Sequence, residues 1–61
     1  MTKNLILKMW YSGLSKYKIA EEEYKDLKKH SLEGSRILKQ KALKNVEDVL
    51  YEEWLNLSKK K

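Results

Sequence analysis

The sequence predicts an all-α fold, a small three-helix bundle with a long C-terminal helix. Three observations predict it. Proline is absent and 38% of the residues are charged, Lys and Glu interspersed with Leu, a composition that suits helices better than strands. The two glycines, Gly13 and Gly34, each follow a helical pattern and precede a serine, the stop-then-cap order found between helices. Between them, apolar residues recur at helical spacing. At 61 residues the chain forms one domain, residues 1–61, near the lower limit at which a hydrophobic core sustains itself. It has no cysteine, so no disulfide or thiolate–metal site supplements that core.

The first helix is expected over about residues 3–12, with Thr2 or Asn4 as cap. Its apolar residues Leu5, Ile6, Leu7, Met9, Trp10 and Tyr11 cover nearly every face, so it is central to the bundle or partly an interface. The second, over residues 16–31, is capped by Ser15. Tyr17, Ala20, Tyr24, Leu27 and Ser31 form its stripe, and Lys18, Glu22, Lys25 and Lys29 lie opposite. The third, residues 35–58, starts with Ser35 as cap and carries Leu43, Val46, Leu50, Trp54 and Leu57 as its core stripe. Projected backwards, that stripe passes through Lys39 and Arg36, with Ile37 and Leu38 pointing elsewhere. The first turns of the third helix are therefore expected to leave the phase of that stripe, so that this end either overhangs the bundle or packs on the second helix through a different face.

Charge is distributed unevenly. Residues 25–44 carry seven cations against Asp26 and Glu33, whereas residues 45–58 carry Glu47, Asp48, Glu52 and Glu53 and no cation. Lysine runs are often only solvated helix faces. This one also holds His30, Arg36 and Gln40, which bond directionally, and Ser31 and Ser35, which suit phosphate. It is centred on a helix N-terminus, whose free N–H groups are also positive.

The stretch LILKMWYSGLSKYKIAEEE resembles the opening of helix-turn-helix domains of the homeodomain-like and sigma-region-4-like kind, through Leu5, Met9, Gly13, Leu14, Ser15, Ile19 and Ala20. SRILKQKALKNV resembles the basic recognition helix that follows. The resemblance implies that Ser35, Arg36, Lys39, Gln40 and Lys44 face the major groove or its phosphates, with Ser15 and Lys16 on the flanking backbone. In that family a short turn follows the Ile-Ala pair; here Glu21, Glu22, Glu23 and Tyr24 continue the helix. The run LKKHSLEGSRILKQKALKNV is similar to a Leu-x4-Leu-x-Gly-x-Arg pattern in small Gram-positive helical-hairpin proteins, which implies paired helices across Gly34.

Nothing points to catalysis. His30 is the sole histidine, so neither a zinc site nor a nucleophile–His pair is expected, and no cofactor is implied. Glu21, Glu22 and Glu23 are consecutive and point three ways on a helix. Trp54 is expected in the core, Trp10 in the core or an interface, and Tyr11 and Tyr51 at the surface. Nine acidic residues argue against a membrane-active peptide, and the apolar run near the start is too short for a signal peptide or span; the expected location is the cytoplasm.

Two functions fit these observations. The first is a small non-enzymatic DNA-binding protein, a regulator or accessory factor of a bacterial or phage system. Lys28, Lys29, Lys39, Lys41 and Lys44 would hold phosphates, and Arg36 and Gln40 would reach base edges. The second is an adaptor or inhibitor that binds an acidic protein surface through the basic ridge and through Leu5, Ile6, Met9 and Trp10 of the first helix. A homodimer through the first helix, or through exposed parts of the third, fits either; no membrane or small-molecule partner is expected.

Overall fold

The structure is a computed structural model that describes residues 1–59. Three helices follow in order: α1 (Lys3–Tyr11), α2 (Lys16–His30) and α3 (Ser35–Lys59). Among the described residues there is no strand.

Each boundary has a local cause. Thr2 is extended and its Oγ1 accepts a hydrogen bond from Leu5 N at 3.3 Å, which satisfies one of the free donors at the start of α1. At the other end Leu14 N donates to Met9 O (3.3 Å) and Gly13 N to Trp10 O (3.1 Å), the paired bonds of a Schellman ending. This ending requires a left-handed residue, and Gly13 has φ 99°. Ser15 then starts α2, its Oγ accepting from Lys18 N at 3.3 Å. Ser35 does not cap α3 as the sequence suggested. Gly34 O already accepts from Leu38 N at 3.0 Å, so Gly34 holds the cap position and Ser35 is the first helical residue.

The turn over residues 31–34 reverses the chain, and α2 returns antiparallel to α3. Contacts step in opposite directions along the pair: Lys41 Nζ meets Glu33 at 2.6 Å, Asn45 Nδ2 donates to Glu23 at 3.5 Å, and Lys16 Nζ meets Glu47 at 2.9 Å. Because α2 has 15 residues and α3 has 25, α2 runs out beside Glu47. Beyond that point α1 leans on α3, with Tyr11 Oη donating to Glu53 at 2.9 Å and Lys3 Nζ 3.2 Å from Glu52. The result is elongated, 43 × 19 × 16 Å.

Ile6, Ile19, Ala20 and Val46 form the central cluster, with Met1, Met9, Leu43, Val49 and Leu50 packed around it. Burying each of Ile6, Ile19 and Val46 contributes about 1.5–3 kcal/mol. Towards the turn the core continues through Leu38 and Ala42, both buried.

This burial corrects the expected stripes. On α3 Val46 is buried with Leu43 and Leu50 packed around it, as expected, but the buried line runs on through Ala42 and Leu38, so the start of that helix does not overhang and packs through a face turned from the expected stripe. Trp54 (60% exposed) and Leu57 lie outside the core, because α2 runs out beside Glu47, before the turns of α3 that carry them. On α2 the buried positions are Ile19, Ala20 and Glu23, while Tyr17 is 64% exposed. Tyr11 and Tyr51 are exposed, as expected.

Candidate nucleic-acid interface

The hairpin end of the molecule is built by the last turns of α2, the turn and the first turns of α3. Lys28, Lys29 and His30 occupy the last turn of α2, where the helix carbonyl ends favour cations. Across the turn, α3 presents Arg36, Gln40 and Lys44 at four-residue spacing, all exposed, as one ridge. Lys39 lies on the side facing α2. Its Nζ sits 5.6 Å from the centre of the Tyr24 ring, and Lys28 Nζ sits 6.0 Å from the same ring. One tyrosine thus gathers a cation from each helix, each contact contributing on the order of 0.5–1 kcal/mol at such exposure.

The pairing of charges separates this end from the rest. Lys3, Lys16, Lys18, Lys25 and Lys41 each have a carboxylate within 4.0 Å. Among the described residues Lys28, Lys29, Arg36, Lys39 and Lys44 have none; outside the hairpin end only Lys8 and Lys59 share that condition. The acidic side chains are committed elsewhere, mostly to α1 and to the N-terminus of α2.

The structure brings Lys28, Lys29, Ser35, Arg36, Lys39, Gln40, Lys41 and Lys44 to the hairpin end. It does not bring Ser15 and Lys16 there. They lie at the far end of α2, whose 15 residues span about 22 Å. Ser15 is used as a cap, and Lys16 is tied to Glu47, which raises its pKa, chiefly through the hydrogen bond. Lys41 is likewise engaged by Glu33. Ser31 serves the turn, its Oγ accepting from Glu33 N at 3.2 Å.

The apolar set on α1 divides. Leu5 and Trp10 are exposed and Met9 is half-buried against the core. Ile6 is corrected: it is 1% exposed, seated among Ile19, Ala20 and Val46, and has no surface to offer a partner. Tyr24 was missed by sequence reasoning. Its spacing to Lys28 is helical and legible, but Lys39 reaches it only because the turn folds α3 back.

Among the described residues no helix is long and apolar enough to cross a membrane, and no three His, Asp or Glu side chains converge as a metal cage requires. Compared with protein-family models, curated proteins and solved structures, the chain matches none.

Proposed function

We propose that this chain is a small non-catalytic DNA-binding protein, a regulator or accessory factor that grips the phosphate backbone with its hairpin end. The observation that carries the reading is the set of cations on both sides of the turn that have no carboxylate partner among the described residues. An unpaired cation keeps its charge available, and release of counterions from DNA then drives binding. Lys28, Lys29, Lys39 and Lys44 hold phosphates, and the ridge of Arg36 and Gln40 carries the donors suited to base edges.

The second reading is an adaptor that binds an acidic protein surface. It is favoured by exposed Leu5, Trp10 and Leu14, apolar surface that DNA does not need. Fluorescence anisotropy on random duplex DNA across a salt series separates the two. The DNA reading expects log affinity to fall with log salt at a slope of roughly −3 to −5, from about 0.9 per neutralised phosphate. Arg36→Glu with Lys39→Glu should abolish binding and leave the circular dichroism unchanged. Absence of binding at low salt, or a flat salt response, removes the DNA reading and leaves the adaptor.

A further inference from the structure

The outer side of α3, turned away from its buried line, has no helix packed on it. Ile37, Lys41, Lys44, Asp48, Tyr51 and Leu55 lie there at alternating spacings of four and three, the spacing of a coiled-coil seam. The first five are exposed, Ile37 to 48% and Tyr51 to 62%, and Leu55 is partly so. From Ile37 to Leu55 the seam runs about 27 Å at 1.5 Å per residue. We propose that a second copy of this chain docks on this seam, antiparallel, about a two-fold axis level with residue 46.

The register follows from which residues stand equally far from that level. Nine positions out on either side are Ile37 and Leu55, five positions out are Lys41 and Tyr51, and two positions out are Lys44 and Asp48. An antiparallel partner therefore sets Ile37 against Leu55, the methylene stem of Lys41 against the Tyr51 ring, and Lys44 against Asp48. Two-fold symmetry makes every pair twice. The alternatives are poorer. Parallel pairing opposes Lys41 to Lys41, Lys44 to Lys44 and Asp48 to Asp48. Sliding the antiparallel register by one heptad, two seam steps, opposes Ile37 to Asp48 and Lys41 to Lys44 in one direction, and Asp48 to Tyr51 and Lys44 to Leu55 in the other. Like charges and buried unpaired charges disfavour each of these.

The free protomer supplies an independent argument. Among the described residues every other carboxylate side chain is engaged: Glu21, Glu22, Glu23, Asp26, Glu33, Glu47 and Glu52 by a cation, and Glu53 by the Tyr11 hydroxyl. Asp48 alone among them has neither, and Lys44, one turn away, is also without a partner. The pair that the monomer leaves open is the pair the two-fold closes. Trp54 flanks the seam, stacked on Tyr51 with ring centres 6.1 Å apart, and widens its apolar rim.

A stable interface needs about 1,200 Å² in total. Half of that is about one eighth of the 4902 Å² a single copy exposes. With three of six seam positions charged, the expected affinity is on the order of micromolar, weak by the scale of obligate dimers. Of the proposed phosphate-binding cations only Lys44 lies on the seam; Lys28, Lys29 and Lys39 lie on α2 and on the α2 side of α3, away from it, so Asp48→Lys tests the dimer without removing a phosphate-binding cation.

Sedimentation velocity on the intact chain, from about 1 to 500 µM, tests the proposal. The expected result is a reversible shift from the 7.3 kDa monomer to twice that mass. Lys44→Glu alone and Asp48→Lys alone should each weaken association by about tenfold or more, since each sets like charges together at two places. Mixed one to one, these two variants should form a heterodimer. The carboxylate introduced at position 44 of one chain then meets the ammonium introduced at position 48 of the other, and the unchanged Asp48 of the first meets the unchanged Lys44 of the second. Circular dichroism confirms that each variant is folded. A chain that stays monomeric throughout, a dimer indifferent to either variant, or a mixture that fails to associate would each overturn the seam.

Discussion

The ammonium nitrogen of Met1 lies 2.7 Å from Oε1 of Glu23, the one charged side chain buried in the core among the described residues, 3% exposed. The same nitrogen is 2.7 Å from Oδ2 of Asp26, and Asn45 Nδ2 donates to the other Glu23 oxygen at 3.5 Å. This cluster clips the start of the chain to α2 and reaches α3. Glu23→Gln keeps the shape but removes the charge, so the ammonium retains only the half-exposed Asp26. The expected loss is about 2 kcal/mol, below that for breaking a fully buried pair. Thermal unfolding should show this as a melting point lower by roughly 8–16 °C for a domain of this size.

The same cluster sets a pH window. Its hydrogen bonds, to Asp26 first and Glu23 second, raise the pKa of the ammonium, so its stabilisation is complete below about pH 8 and is lost as pH climbs through the raised value. Asp26 is shifted the other way, held down by its bond from the ammonium; its contribution is present above about pH 4 and is lost as pH falls through the lowered value. Melting temperature should therefore form a plateau between about pH 5 and 8 and decline on both sides. Acetylating the Met1 amine should lower the plateau and delete the first part of the alkaline decline. The Tyr11 phenol, raised mainly by its bond to Glu53, titrates later on that branch.

Burial and apolar character part company on α3, which gives a paired test. Leu38 is buried although it is flanked by Ile37 and Lys39, and Trp54 is exposed although it is the largest apolar residue of the helix. Leu38→Ala should cost about 2–4 kcal/mol, and Trp54→Ser less than about 1 kcal/mol, by urea titration of the two variants at low concentration. The reverse order would return the core to the Trp54 line.

The two glycines should also respond differently. Gly13 has φ 99°, so Gly13→Ala strains the Schellman ending of α1 by about 1–2 kcal/mol even though nothing crowds the new methyl. Gly34 has no positive φ and open space where a Cβ would stand. Gly34→Ser adds a capping oxygen before α3 and reduces unfolded-chain freedom, so a gain of about 0.3–1 kcal/mol is expected in the same titration.

Much of the fold was legible because the breakers are few. Gly13, Gly34, Thr2 and Ser15 act locally, and their effects do not depend on what packs where. The core phase of α3 was less legible. A pattern search weights Leu50, Trp54 and Leu57, whereas the buried line runs through Ala42, a small residue with little apolar weight, and through Leu38 between neighbours that break the pattern. The choice between these lines is made by α2, which is too short to cover the second half of α3. The basic run could be read directly. Which of its members lack partners could not, because Lys41 is neutralised by Glu33 across the turn and Lys16 by Glu47, 31 positions away.

The four-residue connection between α2 and α3 also orders the events of folding. Closing so short a loop costs little chain entropy, and the contacts it permits are close in sequence, whereas α1 must find Glu52 and Glu53 across most of the chain. The hairpin is thus the expected nucleus, and α1 the piece expected to dock last and leave first. Because Ile6 and Met1 would travel with α1, its departure would uncover Ile19, Val46 and the carboxylate of Glu23 while the basic end stayed assembled.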